Sequence, residues 1–396
     1  MVSREIPRRF DTVWFAIAAA SLLGLAVFAS HGSKHGALWD LEVYRRAVDD
    51  YHGNVDPYHT DVYYPLVYHP LVLRLFVLLN AVLPLKVSLL SLEWAAFAWF
   101  VFELVRTPVR LEGHGNAAAE PKILAIVAAG AFGGIGIPTL LSGNITSFMH
   151  LALLAALLRS KRVISTGAVL TPYALLCVFV VIKPYFLVFL ALPVLLSTNR
   201  KTALLYSAAV VGVAAAAWFS FAWLRPTEYA HFIQALRYAT LDKGDVGYSF
   251  FGFFNKLTYN YALAFAVHGV ACVLLLGAVL FLLAGKYGRE EAFVPSLFLI
   301  YFVLTLANPR MKDYDLFPAL IGLLLVFGLR PRSAALGTLA GLLLSFVPLL
   351  APLFQELSTQ HPLLFDPYGT WQDMGLVAIG AVFVVGMLRK GKISSP

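Results

Sequence analysis

The chain has 396 residues, of which 60% are hydrophobic and 13% charged, with a formal net charge of +8 and a mean hydropathy of +0.76. Soluble domains are about 45–50% apolar and about 25% charged, and an excess of this size cannot be hidden in one soluble core because burial saturates as domains grow. The composition therefore excludes a cytosolic enzyme, a nucleic-acid-binding module and a disordered chain, and it predicts an all-α polytopic membrane protein. The positive charge sits in short clusters between apolar runs, not along one basic face, so nucleic acid is not an expected partner. Apolar runs long enough to cross the hydrocarbon predict about 12 transmembrane helices, near 11–30, 87–105, 122–140, 145–158, 163–182, 184–198, 202–224, 261–284, 293–307, 316–329, 334–353 and 374–388. The first follows Arg4, Arg8 and Arg9, but its run is longer than a signal-peptide core and no small-residue cleavage site follows, so it reads as an anchor.

The run from Leu66 to Pro84 carries His69, Arg74 and Asn80 and is bracketed by prolines. Treating it as an interfacial or re-entrant helix keeps every later basic cluster, such as Arg106, Arg110 and Lys122, on the inner side. Both termini are then on the inner side of the membrane. The long outer loops are 31–86, with its interfacial helices, 225–260 and 354–373, and the whole of 1–396 reads as one membrane-embedded domain. Cys177 and Cys272 fall inside apolar runs and read as buried hydrophobes. Glu93, His150, Lys183 and His268 enter the spans close to their outer ends. A transporter places such groups near the midplane, so outer clustering favours chemistry or binding at the outer face.

In the first outer loop, apolar residues recur at Ala37, Leu41, Tyr44, Val48 and Tyr51, a helical period. Asp40 shares the stripe of Tyr44, Val48 and Tyr51, whereas Glu42, Arg45, Arg46 and Asp49 lie opposite. One carboxylate thus turns inward, and its plainer reading is a first-turn acid stabilised by the helix dipole. Lys183 sits at an apolar helix junction, where an ammonium is costly without an anion, or else snorkels to the interface. Arg310 and Lys312 stand beside Asp313 and Asp315, with which they can simply pair. The acids Asp49, Asp50, Asp56 and Asp61 read as a solvated loop, and no Cys/His spacing indicates zinc, so neither metal nor cofactor is expected. Asn144-Ile-Thr146 matches a glycosylation sequon, but between two tight spans a turn or binding role fits better. In 225–260, Tyr229, His231, Tyr238 and Tyr248 beside Asp242 and Asp245 suit either sugar stacking or an aromatic interfacial belt.

At these residues the sequence resembles the GT-C superfamily of membrane glycosyltransferases, most closely glycosyltransferase family 87, which includes polyprenyl-phosphate-mannose-dependent mannosyltransferases. The resemblance runs in order along nearly the whole chain: Asp40-Leu-Glu-Val-Tyr44 is similar to the family's acidic first-loop motif, Tyr64-Pro-Leu-Val-Tyr-His-Pro70 to its Tyr-Pro-Pro segment, Gly143-Asn144 to a Gly-Gln/Asn turn, Lys183-Pro184 to a Lys-Pro step and Asn308-Pro309 to a Ser-Pro step. The Trp and His residues that often follow that last step are replaced here by Arg310-Met-Lys-Asp-Tyr-Asp315. The resemblance implies a GT-C-like fold, a polyprenyl-phosphate sugar donor, a lipid or glycan acceptor, and inverting transfer without a metal. Together with the stripe position it implies Asp40 as the catalytic base, and mannose is the family's usual sugar; the residues themselves favour Lys183 and Arg310 for the donor phosphate, with Lys312, His69 and Tyr68 as lesser candidates, and Tyr44, Asn144, Tyr248, Asp313 and Tyr314 as sugar contacts. The competing expectation is a multi-pass transporter or flippase for a lipid-linked glycan.

Overall fold

The computed structural model describes residues 15–23, 38–62, 64–107, 119–132, 136–162, 166–197, 199–239, 249–283 and 293–328. Among them the regular structure is helical, with no strand. In chain order the helices are α1 (positions 15–23), α2 (Trp39–His52), α3 (Pro70–Val82), α4 (Leu85–Arg106), α5 (Ala119–Ala131), α6 (Gly136–Ser142), α7 (Ile145–Arg162), α8 (Thr166–Ile182), α9 (Ala191–Leu196), α10 (Arg200–Leu224), α11 (Pro226–Arg237), α12 (Phe250–Thr258), α13 (Tyr261–Leu283), α14 (Phe293–Leu306) and α15 (Asp313–Gly328). A 3₁₀ helix, Pro184–Leu190, joins α8 to α9.

Prolines and caps set the boundaries. His69 caps α3, accepting from Leu71 N at 3.3 Å, and Pro70 fills the first helical position. Pro84 separates α3 from α4. Lys183 is extended (φ −138°, ψ 104°) ahead of Pro184, as the residue before a proline is driven to be. Asn199 caps α10 by accepting from Thr202 N at 3.2 Å.

Three helices among the described residues are long and apolar enough to cross a membrane: Leu85–Arg106, Arg200–Leu224 and Tyr261–Phe281. Their exposed surfaces agree. Leu204, Leu205, Val213, Phe219 and Trp223 on α10, and Phe265, Val270, Val273, Leu274 and Phe281 on α13, are all exposed, a surface suited to lipid rather than water. The 13 residues of α3 reach about 20 Å, short of the hydrocarbon thickness of about 30 Å, and α5, α8, α14 and α15, which were expected to cross, are likewise shorter apolar helices. Two expected spans are interrupted. The run 184–198 divides into the 3₁₀ helix and the six-residue α9, and 122–140 divides into α5 and α6. The expected spans 334–353 and 374–388 lie outside the described residues.

The described residues divide into two compact units, 15–23, 119–132, 136–140, 249–283 and 293–328 falling in one and 38–62, 64–107, 141–162, 166–197 and 199–239 in the other. In the second, α4 packs along α7, α7 on α8 and α8 on α10, while α2, α3 and α11 lie against this bundle. The inner helix is α7, where Met149, Leu151, Leu153, Leu154 and Leu158 are fully buried. In the first unit α14 and α15 pack together, with α5 against α15 and α13 against both α12 and α14. Gly322 lets α15 and α14 touch: a Cβ there would lie 2.1 Å from Phe298 Cδ1, a small-residue contact of the kind that holds helices together in lipid.

Candidate active site

In the second unit a polar cluster forms where α2 begins. Gly143 has φ +67°, and a Cβ on it would lie 2.5 Å from Leu41 Cγ, so only glycine serves both the left-handed turn and the close seating of α2. The next residue, Asn144, is 3% exposed. Its Oδ1 accepts from Thr146 N at 3.0 Å and its own N–H donates to Ser142 Oγ at 3.1 Å, which caps α7. Buried and engaged in this way, it is a turn residue and not an exposed glycosylation acceptor.

Tyr68 ties this turn to α2. Its hydroxyl stands 3.1 Å from Tyr44 Oη and donates to Asn144 Oδ1 across a long 3.5 Å. Tyr44 stacks on Phe76 with centroids 4.9 Å apart, and Tyr58 Oη donates to Tyr68 O at 3.1 Å. Lys183 Nζ lies 5.7 Å from the centroid of the Tyr68 ring, a cation–π position. Asp40 sits one turn before Tyr44, on the same face of α2, and its Oδ2 is closed off from solvent. The opposite face of α2 is solvated, with Arg45 bonded to Glu42 at 2.5 Å and to Asp49 at 2.7 Å. Asp40, Tyr44, Tyr68, Asn144 and Lys183 therefore belong to one unit, and the last four form a connected set.

His69 is neutral and set among aromatic rings. With Nδ1 accepting from Leu71 N, the neutral ring carries its proton on Nε2. The ring lies among Trp218, Phe221, Phe232 and Tyr229 at centroid distances of 4.6, 5.4, 5.6 and 5.9 Å. Burial pushes its pKa down to about 4, so at neutral pH it offers a phosphate no positive charge. Tyr229, from the loop expected to bind the acceptor, is part of this aromatic packing.

The acids of the first loop are matched with bases. His59 bonds Asp61 through Nδ1 and Asp50 through Nε2, the latter at 3.2 Å. His231 pairs with Asp56 at 2.9 Å and Arg74 with Glu228 at 2.7 Å. Among the described residues no group of three or more His, Cys, Asp or Glu side chains is placed to hold a metal ion.

The first unit holds the other expected residues. Between α14 and α15, the backbone from Leu306 to Lys312 is tied by side chains. Cys272 Sγ faces Leu306 O at 3.6 Å and His268 Nε2 faces Ala307 O at 3.3 Å. Ser249 donates to Pro309 O, Asn308 Oδ1 accepts from Arg310 N at 3.1 Å, and Asp315 Oδ2 accepts from Lys312 N at 2.9 Å and from Asn308 Nδ2 at 3.2 Å. Asp315 thus reaches back to the N–H of Lys312 at the start of α15, one half of a capping box, a use of the acid that pairing by charge alone does not foresee. Arg310, Lys312 and Tyr314 are half-buried on this loop and the turn that follows. The side chain of Asp313 and the whole of Tyr248 lie outside the described residues.

Two residues left without a role by the sequence complete the second unit's cluster. Ser147 Oγ stands 2.8 Å from both Glu93 Oε1 and Asn144 O, and Glu93 is only 3% exposed. The available signal was an acid within an apolar run, which membranes tolerate at a cost. Comparison with protein-family models, with curated proteins and with solved structures finds no match.

Proposed function

We propose that the chain is a membrane glycosyltransferase that moves a sugar from a polyprenyl-phosphate donor to a hydroxyl of a lipid or glycan acceptor, with inversion, at the outer face of a bacterial cell membrane. The observation that carries the reading is the presence, on one unit, of a solvent-shielded carboxylate oxygen on Asp40, one turn before Tyr44, and the linked set Tyr44–Tyr68–Asn144 with Lys183. The ordered resemblance along the chain supplies the reaction class, and mannose is the sugar it favours.

The chemistry needs few groups. Asp40 takes the proton of the acceptor hydroxyl as that oxygen attacks the anomeric carbon. The bond from that carbon to the phosphate oxygen breaks, and polyprenyl phosphate leaves as a monoester anion. No acid has to protonate such a leaving group, in contrast to a glycosidase with two carboxylates. A cation and hydrogen-bond donors stabilise the charge that grows on the phosphate instead, a part that falls to Lys183 and Tyr68. Tyr44 and Asn144 are assigned to the sugar, and Arg310 and Lys312 are separate candidates for the phosphate.

The test incubates the purified chain with polyprenyl-phosphate hexoses and pentoses and an acceptor lipid extract, and follows release of bare polyprenyl phosphate. Release with one sugar and an acceptor requirement are expected. No release with any sugar contradicts the reading.

A further inference from the structure

Glu93 is a buried carboxylate that the mechanism leaves unused. It projects from α4 towards the start of α7, where Ser147 Oγ lies 2.8 Å from Glu93 Oε1 and 2.8 Å from Asn144 O. Asn144 is the residue whose Oδ1 faces Tyr68 Oη, and Tyr68 in turn bonds Tyr44. A continuous chain of polar contacts therefore runs from Glu93 through Ser147 and Asn144 to the two phenols, and every member is at least nine-tenths buried. In such surroundings each missing partner leaves a buried polar group unsatisfied, which is costly.

We propose that Glu93 is a positioning residue: through Ser147 it fixes the Asn144 turn, and thereby the hydroxyls of Tyr68 and Tyr44, in the orientation that receives the donor. The proposal deepens the glycosyltransferase reading and rests on it for its kinetic arm. The function of Glu93 is that of a hydrogen-bonding partner. Ser147 has one hydroxyl proton for two neighbouring oxygens, and an amide at position 93 supplies a donor of its own to Ser147 while leaving that proton for Asn144 O. Glu93→Gln is therefore the conservative variant, and Glu93→Leu fills similar space without a polar group.

The experiment measures donor kinetics and backbone amide exchange over 143–147 for the full chain in nanodiscs, comparing wild type, Glu93→Gln, Glu93→Leu and Ser147→Ala. Glu93→Leu is expected to raise the donor KM about tenfold, the scale of one lost buried hydrogen bond, with kcat within about twofold, and to speed exchange over 143–147. Ser147→Ala is expected to do the same, and its combination with Glu93→Leu to add little. Glu93→Gln is expected to restore both KM and protection. A folded Glu93→Gln as impaired as Glu93→Leu overturns the proposal, because the carboxyl then acts by charge or proton transfer. Wild-type KM in Glu93→Leu overturns it as well. If no variant, wild type included, transfers sugar, the glycosyltransferase reading fails, and unchanged exchange over 143–147 in Glu93→Leu then overturns the positioning role independently.

Discussion

At the scale of single residues, what distinguishes the acids is the company each keeps. Asp40 has an oxygen withdrawn from water on the packed face of α2, whereas Asp49, further along and opposite, meets Arg45 in the open. Asp50 and Asp61 share one imidazole. His59 faces both carboxylates, and Asp61 first and then Asp50 hold its pKa above the ordinary histidine value, while Arg46 also acts on Asp61. A histidine with a raised folded pKa contributes stability that is complete below its unfolded value, about 6.5, and is lost as pH rises through the folded value. Amide protection of residues 56–62 should therefore be greatest below the ordinary histidine value and fall as pH rises above it. The His59→Asn chain should show a flat profile, and an unaltered slope in that variant would remove His59 from the account.

At the scale of elements, the site depends on how α2 is seated. Gly143→Ala forces a Cβ into a left-handed residue, at about 1–2 kcal/mol, and into the space of Leu41, so a loss of about 2 kcal/mol or more is expected. The check is a lowered thermal midpoint of the purified variant, and an unchanged midpoint contradicts the seating. The same scale shows what a sequence can disclose. Helix α2 and its inward face were legible because Leu41, Tyr44 and Val48 recur at a helical period and all three are buried. The break between helices at Lys183 was legible because Pro184 follows it. Glu93 gained no role because its partner Ser147 is 54 positions away. The surroundings of His69 were not legible for the same kind of reason: the rings that enclose it come from α10 and α11, and local polarity says nothing of them. The interrupted run 184–198 shows that hydropathy registers apolar length but not the change from 3₁₀ to α that follows Pro184.

At the scale of the whole molecule, apolar helices and exposed apolar faces carry the membrane assignment, while the polar residues gather at a few turns and loops. The second unit brings five expected site residues, Asp40, Tyr44, Tyr68, Asn144 and Lys183, onto neighbouring elements from widely separated parts of the chain. Arg310 and Lys312 are carried by a loop of the first unit whose backbone is held from α12, α13 and α15. Each unit thus spends buried polar groups on shaping a short stretch of chain, a use that packing alone does not require. The most direct measurement is the initial rate of sugar transfer from polyprenyl phosphate by the intact chain in proteoliposomes, wild type against Asp40→Asn. Loss of a general base costs about 10²–10⁴-fold, so the account predicts a fall in that range with the variant still folded and inserted. Transfer by Asp40→Asn at close to the wild-type rate would contradict it.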